Sequence, residues 1–261
     1  ITVTSSVTVT GNYKTQYQIT VTASPTGAIG GTFKVTYTQC GTVYTNAQKT
    51  TSWTEWVDAS TTVTVSEPQD IINGSSDTRY KFDHYDPSAS VFMDQAKTIT
   101  LVYKTKYKLT VVSAHDSPFP SVGEHWYDSG TPITASVTSP ADQSGGTRYR
   151  CTGWTGTGSV SSSGSGTTTS FTITQASTIT WNWIAQYNLT VTSPYDSPNP
   201  TSGWFDTGTS ITASVTSPWA GTADVRYVCT GWTGTGSVPA SGSTASVTFT
   251  INQASSITWN W

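Results

Sequence analysis

The chain has 261 residues, with 12 Lys plus Arg against 15 Asp plus Glu, a formal net charge of -3 and only 10% charged residues. That balance excludes a nucleic-acid binder, which needs a basic face to neutralise phosphates, and the composition is not that of a coiled coil. No apolar run approaches the roughly 18 residues of a membrane-spanning helix, so no membrane span is expected.

The sequence opens on ITVTSSVTVT, where Thr alternates with Ile and Val. Period-two alternation of this kind predicts two strands, over Ile1–Thr4 and Val7–Tyr13. Residues 1–21 align without a gap on residues 171–191, FTITQASTITWNWIAQYNLTV. The segment 1–16 therefore reads as the last two strands of a repeat whose body does not precede them.

Three repeats follow, at 17–104, 105–184 and 185–261. The second begins YKLTVVSAHDSP at Tyr107 and the third YNLTVTSPYDSP at Tyr187. Each continues through CTGWTGTGSV and a Ser/Gly stretch to an ITWNW strand, closing at Trp183 and Trp261. Apart from two residues near Glu124–His125 they register without gaps. Residues 17–104 are a divergent version. Trp56-Val57-Asp58 matches Trp126-Tyr127-Asp128, Arg79-Tyr80 matches Arg148-Tyr149, and Ile99–Tyr103 matches the closing strand. An added hairpin is expected over about Phe33–Thr54.

No stretch carries a 3.6-residue apolar period, and turn punctuation is dense, so the chain is expected to be all-β. The linkers between repeats, Lys104-Thr105-Lys106 and Ile184-Ala185-Gln186, hold neither Gly nor Pro. Short linkers of this composition carry strand from one repeat into the next and predict a stiff rod.

Chemistry is sparse. His115-Asp116-Ser117 holds the residue types of a hydrolytic triad, but sequence neighbours do not reach triad geometry, and Asp-Ser-Pro signals an Asx turn. Asp116, Asp128, Asp196 and Asp206 recur between repeats and read as turn caps. Asp83, Asp86 and Asp94 form the densest acidic cluster, short of the converging oxygens that Ca²⁺ needs. Gly156-Thr-Gly158-Ser159 lacks the Lys and helix of a phosphate loop. No catalytic residue, cofactor site or metal site is therefore expected, and no enzyme.

Cys40, Cys151 and Cys229 fall one per repeat, and equivalent sites in separate domains rarely meet, so free thiols are expected. The two Trp of Trp-Asn-Trp share a face, which reads as core rather than as a sugar platform. Trp53, Trp56 and Trp219 are better candidates for exposed contacts. Asn73-Gly-Ser and Asn188-Leu-Thr are N-glycosylation sequons.

The succession Tyr-x-Leu-Thr-Val, Trp/Tyr-Asp-x-Gly-Thr-x-Ile, Gly-Trp-Thr-Gly and Ile-Thr-Trp-x-Trp resembles the internalin-type B-repeat and its divergent relatives. It rests on Tyr107, Trp126, Asp128, Gly153, Trp154, Trp181 and Trp183, and on Tyr187, Trp204, Asp206, Gly231, Trp232, Trp259 and Trp261. The resemblance is clear over residues 107–261 and weak over 17–104. It implies small tandem β-grasp-like or Ig-like β-sandwich modules on bacterial or archaeal cell-surface proteins, serving as spacers, stalks or assembly units, and it implies no reaction.

The leading strands carry the functional expectation. Exposed alternating strands without a partner are templates for another chain. Ile1, Val3, Val7, Val9 and Tyr13 are the expected strand-donation residues, adding to the sheet of a second copy in an open-ended head-to-tail homopolymer. An extracellular, cell-surface filament, pilus-like fibre or sheath would result, with self as partner and glycans or other surface components as further contacts. The alternatives are a spacer fragment of a larger surface adhesin and a glycan-binding adhesive module.

Overall fold

The computed structural model describes residues 5, 6 and 8–261. It is all-β, as expected. Strands and a single 3-10 turn, Thr26–Ala28, make up the regular structure among the described residues. No helix there is long and apolar enough to cross a membrane. The chain divides into two compact units. One holds Ile1–Lys108, Trp126–Thr131 and Ile173–Ala176; the other holds Leu109–His125, Pro132–Thr172 and Ser177–Trp261.

In the first unit the strand Gln16–Ser24 runs antiparallel to Trp53–Asp58, from Gln16↔Asp58 to Val21↔Trp53. Its other edge runs parallel to the start of strand Lys97–Val112, from Ile19↔Lys97 to Ser24↔Val102. A four-stranded sheet, Thr42–Thr50, Thr32–Gln39, Thr62–Ser66 and Ser90–Phe92 in spatial order, completes the unit. Alternate residues of both sheets enter one core, including Ile19, Val21, Phe33, Val35, Val63, Val65, Ile99 and Leu101. Thr/Val alternation is thus the signature of strands with one apolar face.

Most of the stretch 33–54 is a hairpin, turned at Cys40 and Gly41 with φ of 51° and 85°. Two successive positive φ values match the right-handed strand twist at a two-residue turn, and glycine takes the second without penalty. Trp53 and Thr54 do not belong to the hairpin. They open the strand Trp53–Asp58, which pairs as its counterpart Gly203–Asp206 does in the third repeat.

The second unit carries one pattern twice. Pro132–Ser136 pairs with Thr168–Thr172, and Ser210–Ser214 with Ser246–Thr250. Trp154 lies opposite Trp181, and Trp232 opposite Trp259. Both pairs are buried, the last at 1% exposure, which puts the Trp-rich faces in the core. The Gly-Trp-Thr-Gly motif has a packing reason. Gly153 and Gly231 adopt φ of 125° and 133°, and a Cβ on either would lie 2.0 Å from the carbonyl oxygen of Gly164 or Gly242. The motif sits within a strand in each repeat, where no helix follows to hold a phosphate.

The second of the two N-terminal strands needs correction. Ile1–Thr4 and Val7 lie outside the described residues, and residues 8–13 form no strand with any other described residue. Alternation supplies an apolar face but not the second backbone that a ladder requires.

Substituting Ala for Gly153 or Gly231 adds positive-φ strain to a backbone clash, and each change should destabilise by about 3 kcal/mol. Gly130→Ala, with φ of 88° and no atom within 4 Å of the new Cβ, should lose only about 1 kcal/mol. Denaturant unfolding of the three variants measures the contrast.

Candidate functional site

The described residues hold few enclosed or chemically dense places, and a recurring group of charged side chains lies where one repeat meets the next. In the second unit the strand Ser177–Thr192 is the last strand of the second repeat and the first of the third. The linker Ile184-Ala185-Gln186 is inside it, as ordinary strand. One edge pairs with the second repeat through Arg150↔Ile184, Tyr149↔Ala185 and Arg148↔Gln186. The other pairs with the third repeat through Gln186↔Asp206 and Asn188↔Trp204.

Period two fixes which side chains meet there. Arg148 and Arg150 share a face, as do Trp204 and Asp206, with Gln186 between them. Arg150 forks onto Asp206, Nε donating to Oδ1 at 3.2 Å and Nη2 to Oδ2. Gln186 Nε2 donates to the same Oδ1 at 2.8 Å, and Arg148 Nε donates to Gln186 Oε1 at 2.8 Å. The Arg148 guanidinium lies 4.5 Å from the centre of the Trp204 ring. A planar cation over an indole face is an attractive arrangement. The hydrogen bonds from Arg150 hold the Asp206 carboxyl below the usual carboxylate range.

The first unit repeats this with different residues. Arg79 stands opposite Lys106, as Arg148 does opposite Gln186. The Arg79 guanidinium lies 3.9 Å from the Trp126 ring centre. Lys106 Nζ forms an ion pair with Asp128 Oδ1 at 2.7 Å from the position of Gln186, without the hydrogen bonds that Gln186 makes on both sides.

A third version is only half built. Gln16 Nε2 donates to Asp58 Oδ1 at 3.0 Å, repeating the Gln186–Asp206 contact. The hairpin turn adds two backbone donors, Cys40 N at 2.8 Å and Gly41 N at 2.7 Å, and Lys14 approaches at 3.3 Å. These interactions, led by Gln16, bring the Asp58 carboxyl down to about 2. Trp56 corresponds to Trp126 and Trp204, yet it is 55% exposed.

The other residues singled out in the sequence are placed as follows. Val9 and Tyr13 are 89% and 95% exposed, whereas Ile1, Val3 and Val7 lie outside the described residues. Asn73 is exposed in the strand Ile71–Ser75. Asn188 is half-buried, in strand opposite Trp204, and its backbone N–H donates to Gly146 O. Trp53 packs edge-on to Phe33 and beside Tyr37, while Trp219 stacks on Tyr195.

His115 Nδ1 meets Asp142 at 2.8 Å, while Asp116 accepts the backbone N–H of Thr138, so the three neighbours form no triad. Asp83 pairs with Lys104 and His84, and Asp94 with Lys97. Among the described residues no group of three metal-ligating side chains converges. Cys40 is exposed, Cys151 buried and Cys229 intermediate, all as free thiols.

The aspartates divide into two roles. Asp116 and Asp196 bond backbone N–H groups of Thr138 and Thr216 across loops. The Asp128 and Asp206 side chains serve instead at the junctions, which corrects the turn-cap expectation for them. Only the repeat alignment could have exposed this role, because it sets Arg79 on Arg148 and Trp126 on Trp204. No protein-family model matches the sequence, and no curated protein does.

A carboxyl whose folded value lies below its unfolded one stabilises above the unfolded value and loses that contribution as pH falls through the folded one. For Asp58 the loss should run from about pH 4 down to about 2. Melting temperatures of wild type and Asp58→Asn across this range should converge toward the acid end.

A double-mutant cycle on Arg150 and Asp206 should give a coupling of about 1 kcal/mol, weakened by salt. The side chains are 42% and 30% exposed, which places the pair nearer the surface case than the buried one.

Proposed function

We propose that the chain is a non-enzymatic structural protein of the cell exterior, a subunit of a surface filament, pilus-like fibre or sheath, built from modules of the internalin-type B-repeat kind. The observation that carries this reading is the state of residues 8–13. Val9 corresponds to Ile99, Ile179 and Ile257, each 0% exposed, whereas Val9 itself is 89% exposed. Tyr13 corresponds to Trp183 and Trp261, whose indole N–H groups donate to Ser113 and Ser193, but Tyr13 is 95% exposed. A segment with the pattern of a core strand and no strand partner among the described residues is suited to adding to another molecule's sheet.

Strand addition supplies main-chain hydrogen bonds along the donated segment, with alternate apolar side chains giving specificity. Because donor and acceptor surfaces differ, the contact is heterologous and extends without closing unless its rotation happens to form a ring. The surface also suits assembly. After Arg150 only Asp196, Asp206, Asp224 and Arg226 carry formal charge, so Ser, Thr and Asn cover the third repeat. Little like-charge repulsion opposes close packing of such faces, against copies of the chain or against glycans.

Electron microscopy and sedimentation of the intact chain should show polymers, and deletion of residues 1–13 should leave soluble species of lower order. A deletion variant that polymerises as well as the intact chain overturns strand donation. An intact chain that stays monomeric fits a spacer within a larger adhesin instead.

A further inference from the structure

The hairpin that the first repeat adds brings a group of side chains to the open side of that repeat. In the later repeats residues 113–122 and 193–202 stand in its place, and they contribute a single bridge each instead of strands. Thr42–Thr50 is the last strand of the four-stranded sheet, and Trp53–Asp58 is the last strand of the sheet that shares its core.

Alternation fixes which side chains meet between these two edge strands. Tyr37 and Gln39 share the core-facing side of their strand with Phe33 and Val35, and Trp53 and Glu55 share that of theirs with Val57. Tyr44 and Lys49 stand opposite Tyr37 and Phe33 in the hairpin, which puts them on the same side. The Tyr44 ring stacks on Tyr37 with centres 4.8 Å apart and planes 10° apart, and Tyr37 tilts against Trp53 at 5.3 Å. Lys49 Nζ lies 5.5 Å from the centre of the Trp53 ring. Gln39 Nε2 donates to Glu55 Oε1 at 2.9 Å, and the Trp56 backbone N–H donates to the same oxygen at 3.1 Å.

Much of the polar capacity of this group is unused. Tyr37 is 3% exposed, yet its hydroxyl has no hydrogen-bond partner among the described residues. A buried phenol ordinarily finds one, because leaving it unmet is costly. Burial first, then the Glu55 carboxylate and Tyr44, push the Tyr37 phenol up, so its hydroxyl keeps the proton. Among the described residues Glu55 Oε2 accepts no hydrogen bond and Lys49 enters no ion pair. Tyr44 is 40% exposed, and no described ring covers the face it turns away from Tyr37.

We infer that this group is a saccharide site: the C–H face of a pyranose ring lies on Tyr44, and its hydroxyls bond Tyr37, Glu55 and Lys49.

The chemistry of the group favours a sugar as occupant. A pyranose has an apolar face and a rim of hydroxyls that both donate and accept. Here an aromatic surface stands beside an accepting carboxylate oxygen, a donating ammonium and a phenol that does either. Lys49 and Glu55 offset one another, which suits an uncharged ligand better than a polyanion. The second and third repeats close their cores without the hairpin, so Gln39, Tyr44 and Lys49 serve no part of the shared fold. All six residues lie between 37 and 55, and the site is independent of strand donation by residues 1–13.

The test is a glycan array of neutral, amino and acidic saccharides probed with the full chain, followed by calorimetric titration of the best-bound oligosaccharide. Uncharged saccharides should retain the chain. Tyr44→Ala should weaken binding about tenfold, and Tyr37→Phe and Glu55→Gln about fivefold each. Because Tyr37→Phe removes an unpartnered hydroxyl, it should bind less without melting earlier, a split that a purely structural tyrosine would not give. Trp219→Ala, in the third repeat, should bind as wild type does. Sedimentation of Tyr44→Ala should match wild type, which separates this outcome from that of the filament reading. An array that retains no chain overturns the site, as does binding that Tyr44→Ala leaves intact. A short proline-rich peptide is the competing probe, since it also fits aromatic surfaces. Its binding in place of any saccharide overturns the sugar assignment.

Discussion

A strand that belongs to two repeats at once is the constraint from which the second unit follows. Ser177–Thr192 carries Ile179 and Trp181 into one core and Leu189 into the next. Because strand side chains alternate strictly, inserting or deleting one linker residue would turn every later side chain to the opposite face. The linker is therefore fixed in length, and its backbone is hydrogen-bonded on both edges. A Gly/Ser tether would release that coupling. Here the second repeat's Arg148 and Arg150 can address the third repeat's Trp204 and Asp206, because the register between them is set by the backbone.

Placement of charge follows from that geometry. A surface this poor in ionised groups gains little solubility from the few it has, so their positions are informative. Arg148, Arg150 and Asp206 cluster at one junction, and Arg79, Lys106 and Asp128 at another. Side chains of this kind contribute little at an exposed site and more where neighbours hold them in place. Gln186, buried between an arginine and an aspartate, supplies that support by donating to one and accepting from the other. Lys106 takes its position in the first unit and replaces the amide donor with a charge.

Much of the fold was legible because it depends on local pattern. Thr/Val alternation identified strands, and the repeat alignment set Trp154 on Trp232 and Trp181 on Trp259, the pairs that fill the two cores. The junctions were not legible in the same way. Asp206 and Arg150 are 56 residues apart. Their meeting depends on the register of two ladders flanking the linker, which composition and spacing do not report. Asp-x-Gly-Thr also resembles a turn signal, which points to the turn rather than to the junction as the place of its side chain. Residues 8–13 show the complementary failure. Their pattern is that of a strand, but a strand is a property of two backbones, and the pattern names only one.

The divergence of the first repeat is uneven in a way that separates body from junction. Its body gains the hairpin Thr32–Thr50, and Phe82 stands where Cys151 stands in the second repeat. What in the later repeats is a lone bridge, Phe119↔Ser136 or Asn199↔Ser214, becomes here a full strand pairing at Lys34↔Ser66. Its outgoing junction nevertheless keeps the arginine over the tryptophan and the same register. Its incoming side is rewired: the new hairpin turn supplies the donors for Asp58 and leaves Trp56 bare. Core packing tolerates exchange of apolar groups at roughly constant volume, whereas a junction needs particular atoms opposite one another. The hairpin therefore does more than enlarge a module, since its turn satisfies a carboxylate that in the third repeat depends on an arginine from the repeat before it.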